Sequence, residues 1–297
     1  MNRAPCAMRT KLDCFSCFLR TGLQTARLSG TNDDELQRLM TRFLKILQDL
    51  PDKESPLGVT SRIQNLIRKE TGVQDPYLSV KNECTREAEQ YLSQLNSEVS
   101  LAPAPLDTAL KLAVIGNVMD YGADPLFKLG SLTRRLNTTE FTVDATGHFI
   151  SELNSARRMA YIADNTGEIV FDSILIERLL NDYRIEALHL VIRDEPFLND
   201  VSDERHIPDA LLHNPRVKIE RLSVDPARRN EAVWQSVIAC DIVLNKGMAN
   251  FENYADQPGF FFLLISKCKL VSDLIAARVQ HPVTTGDWIF LHQAKEA

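Results

Sequence analysis

The 297-residue chain lacks a hydrophobic run long enough to cross a bilayer. Its longest apolar stretch, Phe260 to Ile265, falls far short of the roughly 20 residues that a spanning helix needs. No apolar core follows the basic residues of Met1 to Arg9, so no secretory leader is expected and the cytoplasm is the expected location. An excess of positive charge is also missing. The formal net charge of -6 gives no support to a broad nucleic-acid-binding surface. Neither the GxGxxG dinucleotide fingerprint nor the GxxxxGKS/T phosphate loop occurs. There is no GxSxG elbow and no HExxH zinc helix. Internal repeats and low-complexity tracts are absent.

Histidine and cysteine are sparse. The six histidines are dispersed and suggest no cluster, which predicts surface contacts and local hydrogen bonds. His206 stands apart because it follows Asp200 in a loop-to-helix stretch. Of six cysteines, Cys14 and Cys17 form a CxxC pair. A structural zinc site needs four ligands, and no second CxxC or nearby histidine completes a set with Cys6. Reduced packing thiols are the expectation, with metal binding and redox chemistry as alternatives.

What is present is an ordinary globular composition, 44% hydrophobic and 25% charged, in a chain long enough for a large core. Residues 1–105 read as a helical region and residues 106–297 as an α/β domain. "DDELQRLMTRFLKILQDL" carries Leu36, Leu39, Met40, Phe43 and Leu47 at helical spacing, with its acids first and a stop at Pro51. "VTSRIQNLIRKETG" repeats the pattern and ends on Gly72, a plausible C-cap. "LAPAPLD" marks the edge between the two regions. Beyond it, short apolar runs alternate with helical patterns. Strands are predicted at Leu112 to Ile115, Ala160 to Ala163, Ala187 to Ile192, Val217 to Arg221 and Ile242 to Leu244. Phe261 to Ile265 and Trp288 to Leu291 complete the set. The alternation predicts a mostly parallel open sheet covered by helices on both faces.

Ligands of such sheets bind beyond the carboxyl ends of the strands. Four of the predicted strand ends here carry acids and amides. "AVIGNVMDYGADP" supplies Asn117 and Asp120. "IADNTGEIVFD" supplies Asp164 and Asn165, with Glu168 and Asp172 one helical turn apart. "LVIRDEPFLNDVSDE" supplies Asn199 and Asp200. "DIVLNKGMANFE" supplies Asn245, Lys246, Gly247, Asn250 and Glu252. Taken singly, each has a bland explanation. Asp and Asn cap helices and form turns, and a lone lysine usually sits on the surface. Repetition at one sheet edge changes the balance, because distant strand ends converge there. Two carboxylates and an amide carbonyl suit Mg²⁺ or Mn²⁺ better than a thiolate-selective ion. A lysine beside them suits phosphate chemistry.

These segments, in this order, resemble the DUF89 family, also called the damage-control phosphatase or ARMT1-like metal-binding family. "DCFSCFLRTGLQTARLSG" resembles its N-terminal cysteine-containing helix, and "LLISKC" and "TTGDWIF" resemble its C-terminal part. "DNTGE" is closer to its compact microbial branch. The resemblance covers most of the chain. It implies a divalent-metal-dependent phosphatase acting on small phosphorylated metabolites such as sugar phosphates or phosphopantetheine-related compounds. It implies Mn²⁺, Ni²⁺, Co²⁺ or Mg²⁺ held by Asp164, Asn165 and Asp200. Asn117 and Asp120 match polar residues near that site, and Lys246 matches a phosphate-contacting lysine. With these go Asn199, Gly247 and Asn250 as expected substrate contacts. Asp164, Lys246, Asp120 and Glu168 are the expected catalytic groups. Partners other than a small metabolite are not expected, neither nucleic acid nor membrane, and the oligomeric state is left open. The acidic Asp194-Glu195 pair departs from the small residues many compact relatives carry before the proline, which bears on substrate choice. Two other classes stand beside this one: an S-adenosylmethionine-dependent carboxyl methyltransferase, and a non-enzymatic metal- or metabolite-binding protein.

Overall fold

The computed structural model describes residues 8–51, 54–116, 136 and 138–294. Its helices start and stop where local chemistry dictates. Helix α1 is Cys14–Leu28 and α2 is Asp33–Gln48. A reciprocal capping box opens α2: Glu35 N–H donates to Asn32 Oδ1 and Asn32 N–H to Glu35 Oε2, both at 3.0 Å. Helix α3, Pro56–Thr71, begins with proline in its first turn and the Ser55 hydroxyl accepting from Gly58 N–H at 3.0 Å. Gly72, at φ +74°, closes it. Helix α4 is Leu78–Leu101, and α5 is Pro105–Ile115.

The strand predicted at Leu112 to Ile115 is the last turn of α5. Every residue from Ala109 to Ile115 is buried. A helix buried all round has no polar face, so its sequence carries the same unbroken apolar run as a buried strand.

The sheet contains β1 (Val143–Asp144), β2 (Arg158–Ile162), β3 (Ala187–Arg193), β4 (Val217–Leu222), β5 (Ile242–Lys246), β6 (Phe260–Ile265) and β7 (Trp288–His292). Helices α6 (Thr146–Leu153), α7 (Thr166–Asp182), α8 (Asp209–Leu212), α9 (Glu231–Ile238), α10 (Gly247–Tyr254) and α11 (Lys269–Val279) connect and cover it. The order is β1-β7-β6-β5-β2-β3-β4, with β6 and β7 antiparallel and every other pair parallel. The fold is therefore α/β, an open, mostly parallel sheet preceded by helices. Among the described residues, no helix is long and apolar enough to cross a membrane.

The strands alternate between two apolar layers. Met159, Tyr161, Leu244, Phe261 and Leu263 face α4, α5 and α7. Ala160, Ile162, Val243, Phe260, Phe262 and Leu264 face α1, α2, α3 and α11. This period of two, with both sets buried, explains why the strands read as continuous hydrophobic runs.

Strand order also fixes the place of a site. From β2 the chain steps outward through β3 to β4, then returns to lay β5 on the other side of β2. The loops after β2 and β5 lead away from each other there, at the carboxyl ends of both strands, which is where open α/β sheets form their ligand crevice.

Candidate active site

Asp164 emerges from β2 at this switch point. The loop after β3 is stitched to it by backbone hydrogen bonds: Val201 N–H to the Asp164 carbonyl at 2.9 Å and Thr166 N–H to the Asn199 carbonyl at 3.0 Å. An isolated antiparallel bridge pairs Asn165 with Asp200. Leu198, in the same loop, takes a left-handed φ of +45°. Such conformations concentrate where a loop is held in one functional shape. The three residues expected to hold a metal are thus tied together by main chain. Asp164 and Asp200 are both buried.

Asn165 occupies the N-cap position of α7, yet its side chain makes no capping hydrogen bond. Its Nδ2 instead lies 3.5 Å from Asp164 Oδ2. The amide is turned from the helix toward the carboxylate, which the capping explanation does not account for.

Arg193, the last residue of β3, donates from Nε to Asp200 Oδ2 at 2.7 Å. Its buried Nη2 has no hydrogen-bond partner among the described residues. The Asp164 carboxyl is held well above its usual range, chiefly by burial, then by the charges of Asp200 and Glu168; Arg193 and Lys267 oppose them. A cation between Asp164 and Asp200 would reverse that balance. Oxygen donors, mutual repulsion and an amide turned toward the carboxylate rather than the helix fit a hard divalent ion.

Gly247 closes the crevice from the other side. Its φ is +77°, and a Cβ there would stand 1.8 Å from Asp164 Oδ2. Only glycine lets the β5–α10 turn approach the carboxylate so closely. Asn250, buried on α10, donates from Nδ2 to the carbonyls of Ala163 at 3.0 Å and Lys246 at 2.8 Å, lacing the two strand ends together.

Lys246 is fully buried. Its ammonium donates to the Ala113 carbonyl at 2.7 Å, to Asp172 Oδ1 at 2.8 Å and to Glu168 Oε1. All three donors are committed, so the side chain expected to contact phosphate here neutralises two acids of α7. Burial opposes its charge, but Asp172 and Glu168 outweigh that and raise its pKa. The Glu168 carboxyl is pushed up to about 7, by burial first, against the pull of Lys246.

Of the remaining expected residues, Asn117 and Asp120 lie outside the described residues. Asn199 contributes its carbonyl to the loop stitch. Glu195 forms ion pairs with Arg68 at 3.3 Å and Arg228 at 3.2 Å, which fastens the loop after β3 to α3. His206 hydrogen-bonds Asn82 through Nε2 at 2.9 Å. Two charged residues were missed. Arg193 and Lys267 stand at the ends of β3 and β6, and the strand-end rule that singled out Asp164 applies to both. Neither stands out in the sequence, because an isolated arginine or lysine beside a strand reads as a surface residue.

The five described cysteines are free. Cys14 is buried, which raises its thiol pKa, and Cys268 and Glu252 lie near it. The expected dispersal of the histidines does not hold in space. The rings of His148 and His292 lie with centroids 4.1 Å apart. Folding brings α6 against the end of β7, a meeting that separation along the chain hides.

The sequence matches the model of the damage-control phosphatase ARMT1-like domain over residues 10–282. It is 29% identical over 289 residues to a damage-control phosphatase of Archaeoglobus fulgidus, covering 90% of this chain and 95% of that one. It is 24% identical over 281 residues to a damage-control phosphatase of Pyrococcus horikoshii, covering 89% and 93%. The fold is similar to the crystal structure of a DUF89 family protein from Pyrococcus horikoshii, with a TM-score of 0.80 and 23% identity over 96% of this chain and 99% of that one. With the match spanning nearly the whole described sheet and its switch-point crevice, the chain belongs to the damage-control phosphatase ARMT1-like family.

Proposed function

We propose that this protein is a divalent-metal-dependent phosphatase that hydrolyses small phosphorylated metabolites. The observation that carries the reading is the convergence of Asp164, Asn165 and Asp200 at the sheet's switch point, with Gly247 giving Asp164 its room. In this reading Asp164, Asn165 and Asp200 hold the ion. When bound, a divalent cation supplies Lewis-acid polarisation of the phosphoryl oxygens. The chain's own groups do the rest. The N-terminus of α7 turns its partial positive field toward the crevice. Arg193 holds Asp200 in place and keeps a second nitrogen for an anionic oxygen. Lys246 keeps the charge of Glu168 and Asp172 balanced, and we assign proton transfer to Glu168. We assign substrate contact to Asn199 and Gly247, whereas Asn250, fully buried and donating to the Ala163 and Lys246 carbonyls, positions the two strand ends instead; Asn117 and Asp120 follow α5 in the sequence.

The test is phosphate release from a panel of small phosphate esters by metal-stripped protein, with Mg²⁺, Mn²⁺, Co²⁺ or Ni²⁺ restored. Release is expected to return with metal and to fall at least about a hundredfold in Asp164→Asn and Asp200→Asn, consistent with loss of a main electrostatic contribution. Full activity in both variants rejects the assignment. No release with any metal from folded protein, together with binding of S-adenosylmethionine, would favour methyl transfer instead.

A further inference from the structure

A second cluster of ligating side chains lies away from the crevice. One atom each of His148, Glu152 and His292 falls within 4.8 Å of the others. His148 and Glu152 are one turn apart on α6, with His148 Nε2 3.0 Å from Glu152 Oε1. His292 ends β7. Because β7 runs antiparallel to β6, His292 pairs with Phe261 near the start of β6, whereas the crevice lies past the ends of the parallel strands. The cluster therefore occupies the opposite edge of the sheet.

We propose that His148, Glu152 and His292 form a second metal site, for a divalent transition ion such as Zn²⁺ or Co²⁺. The donor set is two imidazoles and one carboxylate. That chemistry favours zinc, cobalt or nickel over magnesium, and more strongly than an all-oxygen set such as that of the crevice does. Spacing agrees. Ligand atoms about 2.1 Å from a tetrahedral zinc stand roughly 3.4 Å from one another, so the present separations need small side-chain rotations only. The rings are already positioned. Phe261 packs against His292 at 4.5 Å and His148 at 5.8 Å between centroids. His148 is exposed and the other two are half-buried, which leaves an entry path and an open coordination position for water.

Equilibrium dialysis of the full-length protein against Zn²⁺ in a large excess of Mg²⁺ tests this. The native protein is expected to retain one zinc per chain that Mg²⁺ does not displace. His148→Ala, at an exposed position and with folding checked by circular dichroism, is expected to lose it. Glu152→Gln should bind more weakly, and Asp164→Asn should retain the zinc. Cobalt in place of zinc should show a visible absorption band that disappears in His148→Ala. Absence of retained zinc in the native protein, or undiminished zinc in His148→Ala, overturns the proposal.

Discussion

Glu252 shows how much a single buried acid can contribute to pH dependence. It sits on α10 with its carboxyl pushed up from 4.5 to about 7 by burial. The folded state thus binds this proton more tightly than the unfolded chain. Stability is full below pH 4.5, falls as pH rises toward 7, and then levels. The cost at the plateau is on the order of 3 kcal/mol. Glu252→Gln keeps the shape and removes the charge. Denaturant unfolding should find the variant more stable than the native protein by that order at pH 8, with the gain vanishing near pH 4. An equal gain at both pH values would show that ionisation is not the cause. Lys246 solves the same problem differently, by placing a cation between Glu168 and Asp172 so that both acids stay buried in company.

At the scale of elements, the β5–α10 turn and the end of α3 provide a matched comparison. Gly247 and Gly72 have similar positive φ values, +77° and +74°. A Cβ at Gly72 meets nothing within 4 Å, while one at Gly247 collides with Asp164. Gly72→Ala should cost about 1 kcal/mol of stability and leave phosphate release intact. Gly247→Ala should cost more, about 1–3 kcal/mol, and abolish release, because Asp164 must move. Thermal unfolding and turnover of the two variants separate backbone strain from damage to the site. The same elements show what was legible in the sequence. Strands β2, β3, β5, β6 and β7 could be read because each is a short, mostly apolar run bounded by turn residues, and β4, VKIERL, because its apolar and charged residues alternate. The apolar run closing α5 could not be assigned, since burial on all sides erases helical periodicity. Strand β1 is two residues long and offers no pattern. The meeting of Asp164, Asn165 and Asp200 was legible from their places after strands that a parallel sheet brings side by side. The commitment of Lys246 to α7 was not, because it depends on which helix crosses which strand. The pairing of His148 with His292 was hidden for the same reason.

For the molecule as a whole, a metal held by Asp164 and Asp200 as proposed would link binding to folding by relieving the repulsion between the two carboxylates. Mn²⁺ at about a hundredfold its dissociation constant should raise unfolding stability by about 2.7 kcal/mol. A chelator should reverse this gain, and Asp200→Asn should lack it; denaturant midpoints with and without Mn²⁺ provide the measurement. The reach of Lys246 adds a constraint of timing. Its ammonium meets partners 133, 78 and 74 residues earlier in the chain, at Ala113, Glu168 and Asp172. A ribosome makes those partners long before it makes Lys246. During that interval α7 carries two acids meant for the interior without the cation that permits their burial, and seating them alone would cost several kcal/mol. Stable docking of α7 is therefore expected only once β5 has been made, with the sheet centre and the strand-end site completed together, late in synthesis.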